Sequence, residues 1–266
     1  MTWVAAVDYR RATRVERPPR NPCQVYGKVE HIGAELMIGA IASGAADAKF
    51  SHIGSKIAVR AALAHMQADP RAVRDAVSTA SNESAQKLYR AVVSSVLRQI
   101  RAAAFDHVAS ARSFATSLAV FAAEPGGLAA MQIGSGLIVS RGRQSDYTLV
   151  FENETLATSG TDTYVTCDDV QDAMRIGVSP GPVSFLCVAS ETLSPLSLRP
   201  QDGMPQKQFF RQLDRYASIA PSDTEVHRGI RSFLRSEQVN SNLDDDLGLA
   251  LCGYRAQGEL FSAAAE

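Results

Sequence analysis

The chain has 266 residues, and its 45% hydrophobic and 21% charged residues are an ordinary globular composition that argues against disorder. Its formal net charge is -1, from 27 basic and 28 acidic residues. No overall field would therefore draw it to nucleic acid or to an anionic membrane, and we expect neither as a partner.

The cysteines and the N-terminus bear on the cellular compartment. The four cysteines are far apart in the sequence and form no CxxC pair, so we expect reduced thiols rather than a zinc site or a disulfide framework. The apolar N-terminal stretch breaks at Asp8 and then becomes basic, the reverse of the order in a signal peptide. No run of about 18 apolar residues predicts a membrane span. These patterns predict a cytoplasmic protein.

The first half of the chain predicts one strand and two helices. Residues 9–30 are rich in Arg and Pro, which is typical of a loop or an edge segment. The apolar run at 35–42 predicts a buried strand that ends in a tight turn. Apolar residues recur at helical spacing over 54–67 and, most strongly, over 82–108, so both segments are predicted helices.

The second half begins with a predicted hairpin. Residues 117–123 and 128–133 are apolar runs on either side of the turn signal EPGG. Further short strands are predicted at 136–140, 147–152, 183–189 and 247–254, and amphipathic helices near 206–219 and 224–238. This order lacks strict βαβ alternation and any repeat, so it predicts an α+β fold of sheets covered by helices, in one domain over 1–266.

Five segments carry a resemblance to known proteins. They are PCQV at 22–25, ASGAADAKFSHIG at 42–54, QIGSGLIV at 132–139, FLCVASETL at 185–193 and DDLGL at 245–249. In order and spacing they resemble the bacterial protein phosphatase 2C, or PPM-type, family, where the corresponding motifs are roughly PCQD, DGAGSAK, IGDG, LLATDGL and DDxT. The resemblance covers about residues 3–254.

The resemblance implies both a fold and a chemistry. The fold is a four-layer α-β-β-α sandwich of two antiparallel sheets flanked by helices, which agrees with the predicted order of elements. Active members of the family use two Mn or Mg ions, bridged by aspartates, and a metal-bound water attacks phosphoserine or phosphothreonine. Such ions prefer oxygen ligands, and several carboxylates must offset their charge.

This sequence departs from the family pattern at most of the metal-ligand positions. Val25, Ser43 and Ser135 stand where the resemblance places aspartates, and Glu191-Thr192 replaces an Asp-Gly pair. Valine has no donor oxygen, and serine is a weak neutral ligand. We therefore predict an emptied catalytic centre without a catalytic residue.

Four residues remain as candidates for a residual site. Glu191, Asp245 and Asp246 are candidate metal ligands, with a solvated acidic loop as the simpler interpretation. Arg20 lies four residues before Gln24, where the resemblance implies an arginine that grips the substrate phosphate. A general bias of the chain towards arginine is the simpler interpretation there.

Three hypotheses for function follow. The first is a pseudophosphatase of bacterial phospho-signalling that binds a protein partner, either a phosphoprotein or a kinase, without a cofactor beyond one weakly bound Mn or Mg ion. The second is an active Mn- or Mg-dependent serine/threonine phosphatase with a site rebuilt from Glu191, Asp245, Asp246 and Asp47. The third is a structural or oligomeric role in which apolar packing around Val25 fills the former cleft.

Overall fold

Two five-stranded antiparallel sheets form the centre of the molecule in a computed structural model, which describes residues 2–12, 22–78, 82–152 and 163–255. The ten strands are β1 Thr2–Arg10, β2 Val25–Ile32, β3 Leu36–Ser43, β4 Leu118–Glu124, β5 Gly127–Ile133, β6 Leu137–Arg141, β7 Thr148–Leu149, β8 Arg175–Pro180, β9 Phe185–Ala189 and β10 Leu247–Arg255. The first sheet has the order β1-β10-β9-β6-β7 and the second β2-β3-β4-β5-β8. We call them the N/C-terminal sheet and the central sheet.

Helices cover the outer face of each sheet. They are α1 Ser51–Ala68, α2 Pro70–Ser78, α3 Asn82–Asp106, α4 Val170–Ala173, α5 Ser194–Ser197, α6 Lys207–Ile219, α7 Asp223–Leu234 and α8 Glu237–Asn242. The first three pack on the central sheet, whereas α6 and α7 pack on β10 and β1 of the other sheet. The predicted four-layer α+β sandwich is therefore confirmed.

Three apolar cores hold the layers together. One lies between α1–α3 and the central sheet, the second lies between the other sheet and the C-terminal helices, and the third lies between the two sheets. Because β3, β4, β5 and β9 have a core on each face, almost every residue in them is buried. This explains why their sequences are nearly continuous apolar runs, which lack the alternation of a half-exposed strand.

The strongest sequence signals were borne out. The EPGG turn joins β4 to β5 in the expected hairpin, with Glu124 opposite Gly127. The long periodic segment forms α3, which buries Leu88, Val92 and Val96 against the central sheet. Short-range patterns were sufficient at these places because local pairing and helical periodicity agree with the tertiary packing.

Elements with polar or interrupted sequences were missed. Residues 9–30 were predicted as a loop or an edge segment. Val25–Ile32 forms the edge strand β2 of the central sheet and pairs along its whole length with β3, so the loop alternative is wrong there and the edge position is confirmed. The strands β1 and β8 and the helix α2 were not predicted. The helix predicted over 54–67 is α1, and α2 begins directly after it at Pro70, where the missing N–H of proline costs nothing.

Every helix in the described part of the chain is too short or too polar to span a lipid bilayer.

Candidate functional site at the edge of the two sheets

Val25 lies where the two sheets meet, at the start of β2. It is 3% exposed, belongs to the core between the sheets and pairs with Ser43 across the strands. Its Cγ1 is so close to Gly248 that a Cβ added to that glycine would lie only 2.5 Å away. An apolar side chain therefore fills the position for which the family resemblance implied a bridging aspartate.

Ser43 ends β3 and is tied to the neighbouring strand. Its carbonyl oxygen accepts the backbone N–H of Ser117 at 2.9 Å, and the Ser117 hydroxyl lies 3.3 Å from both the nitrogen and the oxygen of Ser43. Gly44 follows and donates its N–H to the carbonyl of Gln24 at 3.0 Å. The loop after β3 is thus fixed by hydrogen bonds within the protein.

Gln24 holds the same loop through its side chain. Its Nε2 donates to the carbonyl of Ala45 at 3.2 Å and to the hydroxyl of Ser51 at 2.8 Å, at the start of α1. Sequence reasoning missed this role. The only signal was its place beside Val25 in the PCQV segment, because the partners become visible only in the fold.

Asp246 links two chain segments that are remote in sequence. It is 6% exposed, one carboxylate oxygen accepts the N–H of Ala12 and the other accepts the N–H of Gln24, each at 2.6 Å. The carboxylate thus joins the chain just beyond β1 to the residue that precedes β2. Both oxygens that could face a metal ion make charge-assisted hydrogen bonds to the backbone.

The other two candidate carboxylates lie at the same edge. Glu191 begins a short 3-10 turn directly after β9 and is half-buried, and Asp245 is exposed at the start of β10. Between them, Ser190 and Gly248 are joined by two hydrogen bonds of 3.0 Å, one from the Ser190 N–H to the Gly248 carbonyl and one from the Gly248 N–H to the Ser190 hydroxyl. Gly248 therefore fits closely between Val25 and Ser190.

Ser135 lies in the turn between β5 and β6. It is exposed and is flanked by Gly134 and Gly136, which adopt positive φ angles of 73° and 133°. The Gln132 side chain donates to the carbonyls of both glycines, at 3.1 and 3.0 Å. The turn is well defined, but it presents a hydroxyl where the resemblance implied a carboxylate.

Among the described residues, Asp47 does not join two or more of Glu191, Asp245 and Asp246 in a group that could hold a metal. It lines an open cavity of about 640 Å³ whose wall also includes Asp168 and Asp169, and none of the other three candidates lines that cavity. The exposed pair Arg112 and Asp168 spans part of the rim at 3.2 Å. The rebuilt site of the second hypothesis is therefore not assembled around Asp47.

The basic segment near the N-terminus is described only in part. Arg20, the predicted phosphate-binding residue, lies outside the described residues. Arg10 ends β1, is buried, and donates through Nη2 to the carbonyl of Leu243 at 3.2 Å. Burial lowers the pKa of Arg10, and the nearby Asp246 opposes this shift. Arg10 thus belongs to the interior of this edge.

Cys23 lies beside the same carboxylate. Burial, and after it the charge of Asp246, raises the pKa of the Cys23 thiol to about 12. Cys187 is fully buried in β9, and burial raises the pKa of its thiol as well. Neither thiol is a thiolate at neutral pH, so neither has the reactivity of a nucleophile.

The residues at this edge do not fit a pair of divalent ions. Among the described residues, no three His, Cys, Asp or Glu side chains come together as a group that could hold a metal. Val25 offers no ligand atom, Ser43 and Ser135 offer no charge, and the Asp246 oxygens accept backbone N–H groups. Mn or Mg would need several carboxylate oxygens here.

The architecture defines a class of protein, the two-sheet sandwich of metal-dependent phosphatases. The family model for protein phosphatase 2C matches residues 20–235, so the chain belongs to the protein phosphatase 2C family. No curated protein sequence matches the chain significantly.

Solved structures share the fold at very low sequence identity. The serine/threonine phosphatase Stp1 from Staphylococcus aureus is 9% identical, with a TM-score of 0.64 over 95% of each chain. The serine/threonine phosphatase of S. agalactiae is 12% identical, with a TM-score of 0.60 over 95% of this chain and 100% of that one. The catalytic domain of PstP, solved with two manganese ions, is 14% identical, with a TM-score of 0.59 over 95% of this chain and 99% of that one.

Proposed function

We propose that this phosphatase 2C domain is a pseudophosphatase, a binding or regulatory protein of bacterial phospho-signalling that has lost most of its metal-binding aspartates. The packing of Val25 against Gly248 carries the proposal, because it puts an apolar side chain where the first bridging ligand belongs. A single lost ligand could be offset by a neighbour. Here the neighbouring carboxylate of Asp246 is engaged by two backbone N–H groups.

The proposed partner is a cytoplasmic protein, either a phosphoprotein or a kinase. A pseudophosphatase keeps the shape of an enzyme that recognises phosphorylated side chains, so phosphate contact is the natural residual function. Arg20 is the proposed contact, since a guanidinium can hold a phosphate through two parallel hydrogen bonds. An Arg20→Ala variant is expected to lose affinity for a phosphoserine peptide, measured by calorimetry. Unchanged affinity would remove Arg20 from the proposal.

The decisive experiment is hydrolysis with added metal. Purified protein is incubated with a phosphothreonine peptide and Mn or Mg, with an active phosphatase 2C as the positive control, and released phosphate is measured. We expect no release above the buffer rate, and calorimetry with Mn alone should give no binding or one weak site. Unchanged results for Asp245→Asn and Glu191→Gln would agree with this expectation.

An active enzyme would give a different pattern. Release of phosphate that requires Mn and is abolished by Asp245→Asn would show that the residual carboxylates form a working site. That outcome would refute the pseudophosphatase and establish the second hypothesis, an active Mn- or Mg-dependent serine/threonine phosphatase.

A further inference from the structure

The outward face of α3 carries a stripe of residues at steps of three and four. We call it the α3 stripe: apart from Ser94 at its middle it consists of Lys87, Arg90, Arg98, Arg101 and Phe105 on the helix, together with Val108, which lies two residues beyond the end of α3. At 100° per residue the positions from Lys87 to Phe105 lie within one sector of the helix. All six are exposed, since the opposite face of α3 packs on the central sheet.

The C-terminal end of the stripe exposes two large apolar side chains. Phe105 is 85% exposed and Val108 is 95% exposed, which makes them the two most exposed large hydrophobic residues of the described chain. Scattered exposed apolar residues are common, but these two lie three residues apart in sequence, one in the last turn of α3 and one in the turn that ends it. Water contact with this pair is unfavourable, and burial against a partner would relieve it.

Val108 also has a strained backbone. Its φ angle is 49°, the only positive value for a non-glycine residue among those described. It occupies the left-handed position of a Schellman motif, in which the Ala109 N–H bonds to the Ala104 carbonyl at 2.9 Å and the Val108 N–H bonds to the Phe105 carbonyl at 3.1 Å. Glycine is usual at this position, and a β-branched residue there is an outlier. Stability alone would not select an exposed valine here.

The rest of the stripe is basic and unpaired. Within the part of the chain that the structure describes, Lys87, Arg90, Arg98 and Arg101 make no ion pair, although other exposed arginines such as Arg228 do. Lys87 and Arg90 are three residues apart, as are Arg98 and Arg101, so each pair places two positive charges side by side on the helix. Such repulsion destabilises a helix in isolation. Residues 51–106, which contain α1 to α3, have eight Lys or Arg and only four Asp or Glu, against a net charge of -1 for the whole chain.

We propose that the α3 stripe is a docking surface for an acidic segment of a partner protein, whose carboxylates face the four basic residues and whose apolar side chain packs on Phe105 and Val108. From Lys87 to Phe105 the stripe is about 27 Å long, a length that a helix of about 18 residues spans. The proposal rests on the proposed function only in that both require a protein partner.

A protein segment fits this surface better than a lipid bilayer. A helix that lies on a membrane needs an apolar face along its length, but the large apolar residues of α3 other than Phe105 pack against the core. One apolar end on a basic stripe matches an amphipathic acidic helix with a single hydrophobic anchor. The anchor supplies affinity, and the charges fix the direction of the helix and speed its association.

The test uses the full chain and synthetic probes. The first probe is a fluorescent peptide with Glu at helical spacing and a Leu pair at one end. The second has the same composition in scrambled order, and the third is polyglutamate. Binding is followed by fluorescence anisotropy at low and at physiological salt, and binding to vesicles with anionic lipid and to duplex DNA is measured in parallel.

Two protein variants are matched in charge. Arg98→Glu with Arg101→Glu reverses the charge of two of the four basic residues of the stripe, and Arg211→Glu with Arg215→Glu makes the same change on exposed arginines of α6, in the opposite helical layer. We expect the first pair to weaken binding of the amphipathic peptide by about tenfold or more, since this is the loss expected when complementary charges become repulsive. The second pair should leave binding within about twofold. Phe105→Ala should weaken the binding of the amphipathic peptide but leave the binding of polyglutamate unchanged.

The outcomes separate clearly. The docking surface would be refuted if the first peptide failed to bind, or if the scrambled peptide or polyglutamate bound equally well. It would also be refuted if the α6 variant lost as much affinity as the α3 variant, or if the protein bound vesicles or DNA more tightly than the peptide. Urea midpoints of all variants control for folding. Because these measurements need neither metal nor phosphate, a phosphatase that proved active would refute the proposed function alone, and a failed peptide titration would refute the docking surface alone.

Discussion

Asp246→Asn tests whether the last buried carboxylate of the edge is a metal ligand or a structural link. The carboxylate of Asp246 accepts the backbone N–H groups of Ala12 and Gln24. Asparagine keeps the shape and one acceptor oxygen, but its NH2 group would face one of these two N–H groups. One hydrogen bond is lost, so that one backbone N–H is left without its partner, and the bond that remains is no longer charge-assisted.

The magnitude follows from those two bonds. A hydrogen bond to a charged group contributes about 1.5–3 kcal/mol, and an unsatisfied buried donor costs about 1–3 kcal/mol. Since these figures overlap in part, we expect Asp246→Asn to lower the free energy of unfolding by about 2–4 kcal/mol. The control is Asp245→Asn, one residue away and exposed, which should stay within about 0.5 kcal/mol of the wild type.

Urea unfolding provides the measurement. The single tryptophan, Trp3, is 3% exposed in β1 and donates from its ring nitrogen to the Glu35 carbonyl, so its fluorescence reports on the strand that leads to this edge. Titrations are run with EDTA and with Mn. A loss of stability that appears only with Mn, or a variant as stable as the Asp245→Asn control, would show that Asp246 is not the structural link described above.

Three further predictions concern the same edge and the α3 stripe. Val25→Asp places an unpaired carboxylate between the sheets and should cost about 3–5 kcal/mol in urea titrations, and rescue by added Mn would contradict the closed packing. Val108→Gly should stabilise the fold by about 0.5–1 kcal/mol, because the left-handed backbone costs valine more than glycine loses on ordering, and a lower unfolding midpoint would contradict this. The Cys23 thiol, with its pKa raised to about 12, should react slowly with iodoacetamide at pH 8 until the protein unfolds. The folded state holds the Cys23 proton more tightly than the unfolded state does, so this thiol contributes its full share to the free energy of unfolding below about pH 9 and loses it as the pH rises towards 12. The loss of stability over this pH range should be smaller in Cys23→Ala.

The parts of the fold that could be predicted are those whose signals are local. The period of α3 and the turn between β4 and β5 specify themselves within a few residues. The strand β2 does not, because its alternating and partly charged sequence follows an Arg- and Pro-rich stretch and becomes a strand only by pairing with β3. Its assignment depends on contacts made in the fold.

The candidate site shows the same division. The missing aspartates at Val25, Ser43 and Ser135 were visible from the order of the family segments. The roles of Gln24 and Asp246 were not, because they depend on hydrogen bonds between residues far apart in sequence, up to 234 positions for Asp246 and Ala12. A carboxylate looks the same in sequence whether it faces an ion or a backbone N–H group.

The substitutions at this edge depend on one another, and this bears on any attempt to restore catalysis. Val25 fits only because residue 248 is glycine, and Gly248 is held in turn by two hydrogen bonds to Ser190. Asp246 satisfies backbone groups at the strand ends, so these ends need no ion to hold them. An aspartate introduced at position 25 alone would lie against an apolar surface, and the nearby Asp246 carboxylate would remain hydrogen-bonded to the backbone. A site for two metal ions would require both more space and more negative charge at the ends of β2, β3 and β10. We therefore expect no single substitution to recover phosphatase activity.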